Sequence, residues 1–129
     1  MSTFRNFTEI EAWQKARELT SEIYTVSKYR EFSKDFELRG QIRSASVSVM
    51  SNIAEGFDRN GTAEFVQFLA IAKGSVAEVA SQLYVAKDQN YVTAGEFDRL
   101  IALTTETGRK IGALMNYLRR SGIKGAKFR

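Results

Sequence analysis

Gln41-Ile42-Arg43-Ser44-Ala45-Ser46-Val47-Ser48-Val49-Met50-Ser51-Asn52-Ile53-Ala54-Glu55-Gly56-Phe57-Asp58-Arg59-Asn60-Gly61-Thr62 is the stretch whose reading decides the fold. Ile42, Ala45, Val49 and Ile53 recur at spacings of three and four, the period of one helix face. A second apolar row holds Val47, Met50, Ala54 and Phe57. Ser44, Ser46, Ser48 and Ser51 fall between the rows, where an ordinary bundle carries Leu. Small side chains fill a core poorly but let a second helix come close. The spacing therefore predicts a close-packing helix over about 34–55. Gly56 is expected at the left-handed position that ends it. Phe57 to Gly61 reads as a tight polar turn, since Asn-Gly is a strong breaker pair. Thr62 or Asn60 is expected to cap the next helix.

Working outward, a helix over about 62–90 carries the seam Phe65, Phe68, Leu69, Ala72, Val76, Val79, Leu83 and Ala86. Its spacing is close to a heptad. A turn centred near Arg59 would set Ser44 beside Gly74 and Ser48 beside Ala70. Glycine costs about 1 kcal/mol relative to alanine inside a helix. Close backbone approach to Ser44 and Ala45 is the reason expected for Gly74. Upstream, Ile10, Trp13, Ala16, Leu19, Ile23 and Val26 form the stripe of a helix over about 9–29, with Thr8 and Glu11 at capping-box spacing. Downstream, Thr93 and Glu96 repeat that box ahead of a helix over about 94–120. Its stripe is Phe97, Leu100, Thr104, Thr107, Ile111, Leu114 and Leu118. Residues 121–129 are expected as a loose basic tail. Short turns between long helices imply an all-α, antiparallel up-down-up-down four-helix bundle, and a chain of 129 residues is expected to be one domain, 1–129.

Composition narrows the chemistry. The chain has no Cys, no His and no Pro. Without Cys and His there is no disulfide framework, no Ser-His-Asp or Cys-His catalysis, and little means of holding zinc or a di-iron pair. Carboxylates alone would suit only hard cations. The absence of proline permits long helices everywhere. No apolar run approaches the ~20 residues that span a bilayer, and Met1 to Phe7 lacks the apolar core of a secretion signal. A cytoplasmic location is the default expectation, with no membrane partner, cofactor, metal or small-molecule substrate.

Charge is unevenly spread. Residues 1–106 hold 12 basic and 15 acidic residues, whereas residues 107–129 hold seven basic and no acidic ones. The seven are Arg109, Lys110, Arg119, Arg120, Lys124, Lys127 and Arg129. A basic end invites contact with a polyanion. Cations also simply favour helix C-termini, and basic tails are commonly just solvated.

Several ordered motifs give the chain a family resemblance. They are Ala12-Trp13-Gln14-Lys15-Ala16, Ile23-Tyr24, Gln41-Ile42-Arg43, Ser51-Asn52-Ile53-Ala54-Glu55-Gly56-Phe57, Glu64-Phe65, Phe68-Leu69, and Ile71-Ala72-Lys73-Gly74-Ser75 with Glu78. Across most of its length the chain resembles the four-helix-bundle proteins encoded within intervening sequences of bacterial 23S ribosomal RNA genes. That resemblance implies a ring of five bundles, a homopentamer. The chain is distantly similar to the accessory proteins of diversity-generating retroelements, which are basic pentamers that bind nucleic acid and a reverse transcriptase. Ser44 stands where a second Arg is common in the first family, and Asp58 where a small residue is frequent. Both changes lower local positive charge.

The marked polar residues admit two kinds of reading. Asn52, Glu55 and Arg59 share a helix face, and Glu64 begins the next helix. Glu55 and Glu64 could hold a cation or an activated water. The favoured alternative is that Glu55 pairs with Arg59 or caps the following helix. Gln41, Arg43 and Glu78 are expected to meet, with an Arg43–Glu78 ion pair fixing register at a subunit contact; the alternative is that Arg43 faces a bound anion. Trp13, Tyr24, Phe65 and Phe68 could stack on bases, but helical spacing favours core. The function expected is a non-enzymatic, self-assembling protein that presents a surface to structured RNA or other nucleic acid. The alternative is a protein–protein adaptor, with Val66, Ile71, Ile101 and Met115 docking a partner.

Overall fold

The computed structural model describes residues 4–121. Four helices carry the chain: α1 (Glu11–Ser27), α2 (Phe36–Phe57), α3 (Thr62–Asp88) and α4 (Ala94–Ser121). Short 3-10 turns, Phe7–Glu9 and Arg30–Lys34, precede α1 and α2. Strands are absent among the described residues. Each helix packs on its two neighbours around the ring: α1 on α2 and α4, α3 on α2 and α4. This closed square is the antiparallel up-down bundle that the apolar stripes require.

The core has two layers. One gathers Trp13, Ala16, Val49, Ile53, Phe57, Phe65, Leu69 and Ile111 near the α2–α3 turn. The other gathers Leu19, Ile23, Phe32, Ile42, Leu83 and Leu100 toward the opposite end. Phe32 is wholly buried, although it lies in a short polar segment that no helical stripe reaches. Its ring stacks on Tyr91 at 5.3 Å between centroids.

Local chemistry explains the helix ends. Asp35 caps α2 by accepting the Leu38 N–H at 3.0 Å. α3 ends with Asn90 in the left-handed region (φ 62°), a conformation asparagine tolerates. There the Tyr91 N–H donates to the Ala86 carbonyl at 2.9 Å and the Asn90 N–H to Lys87 at 3.0 Å, the Schellman pattern. The capping box of α4 forms as its sequence predicts. Thr93 N–H donates to Glu96 at 2.9 Å, and Glu96 N–H to Thr93 Oγ1 at 3.0 Å.

Other ends differ from expectation. Thr8 does not box with Glu11. It lies in the first 3-10 turn, where its N–H and hydroxyl donate to Asn6, and Ile10 occupies the α1 N-cap without a side-chain bond. α3 starts from Gly61 in extended conformation (φ −162°), so neither Asn60 nor Thr62 stands at its N-cap. Gly56 is not a left-handed terminator. α2 continues through Phe57, and Gly56 is buried inside it. A Cβ at Gly56 would lie 2.6 Å from Phe68 Cβ and 2.9 Å from the Phe65 ring. The close approach of α2 and α3 is therefore centred on Gly56. Gly74 is exposed, with nothing within 4 Å of a built Cβ. The small residue that the helix pair needs lies at its turn end, where Phe65 and Phe68 press in.

Candidate functional site

The register of α2 on α3 sets which polar residues meet. Ser48 and Ser75 hydroxyls lie 3.0 Å apart. Asn52 Nδ2 donates to the Ser48 carbonyl at 2.9 Å and to its hydroxyl at 3.0 Å. Ser48 thus faces Ser75 rather than Ala70. The family-motif residue Asn52 organises this serine bridge between the helices, and no extra water or ion is needed to satisfy it.

Arg43 and Glu78 do not pair. Arg43 turns toward α1: its Nε donates to Ser27 Oγ at 2.8 Å, and its guanidinium lies over the Tyr24 ring at 4.5 Å. Position 43 is on the α1 side of α2, so an ion pair toward α3 is out of reach. Tyr24 is accordingly not core; it is 39% exposed and serves as the platform for Arg43. Trp13 and Phe65 are buried, as helical spacing predicts, and Phe68 is half-buried.

At the turn, Glu55 accepts from Arg59 at 3.0 Å, the pairing favoured from sequence. Arg59 also covers the Phe68 ring at 4.9 Å. The pair is exposed on both sides, so its worth is at most ~1 kcal/mol. Glu64 is exposed on the first turn of α3. Among the described residues, no three acidic side chains converge as a metal-ligand group.

The surfaces of the bundle differ in character. The α2–α3 side has an open groove of about 500 Å³ lined by Glu37, Gly40, Gln41, Ser44, Ala45, Ser48 and Glu78. Its charges are carboxylates, and neither Glu37 nor Glu78 has an ion pair among the described residues. Ile71 (53% exposed) and Val85 (45%) extend the surface of α3. On α4, Lys73 of α3 joins Glu106, Gly108, Arg109, Gly112, Ala113 and Asn116 in a shallow depression, where Glu106 is engaged by Lys15 of α1 at 3.6 Å. Lys110, at its edge, is held by Glu11 of α1 at 3.1 Å. Arg109 has no such partner among the described residues and is exposed. Arg119 and Arg120 close α4, both exposed. Lys124, Lys127 and Arg129 lie outside the described residues.

Of the apolar flanks named as adaptor contacts, Met115 is core, Val66 and Ile101 are half-buried, and Ile71 stands out. Two polar links that sequence reading missed join distant elements. Tyr91 donates its hydroxyl to Asp35 at 2.8 Å. Arg30 donates to both Glu96 oxygens at 2.9 and 3.0 Å. The Leu38 N–H and then the Tyr91 hydroxyl hold the Asp35 pKa below its ordinary value, and the same bond raises that of Tyr91. Partial burial works to raise the Glu96 pKa, but the Thr93 N–H and Arg30 outweigh it, and the net shift is downward. No local pattern signals either link, since each depends on how the 3-10 turn at Arg30–Lys34 docks.

Among the described residues no helix is long and apolar enough to cross a membrane. No curated protein matches the chain. The fold is similar to a crystal structure of a protein of unknown function from the S23 ribosomal protein family of Bacteroides thetaiotaomicron. It superposes with a TM-score of 0.74 at 21% identity, over 81% of this chain and 97% of that one. The model of the 23S rRNA-intervening sequence protein family matches residues 8–113, a span holding the serine bridge, the Gly56 contact and the α2–α3 groove, and the chain belongs to that family.

Proposed function

We propose that the protein is a non-enzymatic, self-assembling cytoplasmic bundle, a homopentamer, that presents basic surface to structured RNA or other nucleic acid. The observation that carries the reading is the end of α4. No acidic residue follows Glu106 in the chain, and Arg119 and Arg120 are exposed there without an ion pair among the described residues. Ring symmetry repeats that charge once per copy, so weak phosphate contacts add by multivalency. Membership of a family named for 23S rRNA intervening sequences supports RNA as the polyanion.

The test is fluorescence anisotropy with a folded ribosomal RNA fragment. Affinity is expected to fall by orders of magnitude between about 50 and 200 mM salt. Arg119→Glu with Arg120→Glu is expected to weaken binding at least tenfold without changing helix content. No binding at low salt, or binding indifferent to that double change, would refute the RNA reading. The exposure of Ile71 and Val85 favours a second reading, an adaptor that docks another protein. Retention of one protein partner after nuclease treatment would select it.

A further inference from the structure

We infer that the acidic α2–α3 groove receives the Lys73–Arg109 surface of a second copy of this chain, which makes the contact head-to-tail. The inference rests on the self-assembly proposed above and assigns its faces. Glu37 and Glu78 line one wall of the square bundle, with Gln41 and Ser44 between them. Lys73 and Arg109 mark the neighbouring wall. None of these four charges has an ion pair among the described residues, whereas most charges of α1 are paired on the bundle's own surface. The small residues also match. Gly40, Ser44 and Ala45 leave the groove open, and Gly108, Gly112 and Ala113 leave the basic wall low around Arg109. Helices with such surfaces can approach closely.

Two different faces in contact make a heterologous interface, which closes only if the rotation between faces divides a circle. Neighbouring walls of a four-helix square have normals about 90° apart, close to the ~108° that closes five copies and equal to the angle that closes four. Opposite walls would give an open filament. The placement of the charges on adjacent walls therefore agrees with a small ring.

The experiment is solution mass by light scattering on the full chain, with circular dichroism to confirm helix content. Glu37→Lys with Glu78→Lys is expected to reduce the mass to that of one copy, 14.6 kDa. Lys73→Glu with Arg109→Glu is expected to do the same. Combining all four changes in one chain restores opposite charges across the contact, and the wild-type mass is expected to return. Folded double variants that keep the wild-type mass would overturn the face assignment and leave self-assembly intact; so would a folded quadruple variant of single-copy mass. A wild-type chain of single-copy mass would overturn both readings. Should a reversal abolish helix content, Glu78→Gln and Arg109→Gln carry the test. Each is expected to raise the concentration at which the assembly dissociates about tenfold, and no shift in either would overturn the assignment.

Discussion

Two glycines in adjacent helices meet opposite surroundings, and their substitution should therefore have opposite signs. Gly56 has Phe68 Cβ within 2.6 Å of a built Cβ, so alanine there forces α2 and α3 apart. Gly56→Ala is expected to lower stability by about 1–3 kcal/mol, the usual range for overpacking. Gly74 has open space, so alanine there removes only glycine's backbone entropy. Gly74→Ala is expected to raise stability by about 0.5–1 kcal/mol. Urea unfolding of both variants checks the pair, and equal signs would contradict the packing described. Asp35 gives a pH dependence. Its folded pKa lies below the ordinary value of 3.8, so its stabilising bonds count fully above that value. They are lost as pH falls through and below 3.8. The gap in melting temperature between the native chain and Asp35→Asn is expected to narrow steadily over that acid range. A gap constant with pH would contradict the bonding to Leu38 and Tyr91.

Element termini separate what local sequence encodes from what tertiary docking decides. Thr93 and Glu96 are three apart and each bonds the other's backbone, so their box was legible. Thr93→Ala is expected to cost about 1 kcal/mol in a denaturant titration, and a cost near zero would show that the box is idle. Thr8 and Glu11 have the same spacing, yet Asn6 captures Thr8 and a 3-10 turn displaces the start of α1. Helix stripes were legible because burial imposes a period of three and four on Ile42, Val49, Leu69 and Ile111. The register between stripes was not. It depends on how the two helices pack, and Gly56 seats Phe65 and Phe68 of α3 against α2. That moved the partner of Ser48 from Ala70 to Ser75. The Glu55–Arg59 pair was legible as an i,i+4 contact. Arg43 was misread because α2 has both α1 and α3 as neighbours, and its distance in sequence from Ser27 and Tyr24 hides which one it meets.

At the scale of the whole molecule, the charge pattern and the small-residue surfaces point the same way. α1 and α4 pair charges across their shared side, Arg99 with Glu22 and Lys110 with Glu11. The α2–α3 side keeps carboxylates without an ion pair among the described residues, beside serine and glycine, and Ile71 of α3 is exposed. Exposed apolar surface bordered by polar groups marks contact sites between proteins. In the proposed ring, the basic end of α4 is the surface expected to meet phosphate. All of this depends on assembly. Light scattering of the wild-type chain over a dilution series tests it most directly. The account predicts a stable multiple of 14.6 kDa, five copies in the proposed ring. A mass of 14.6 kDa at every concentration would contradict it.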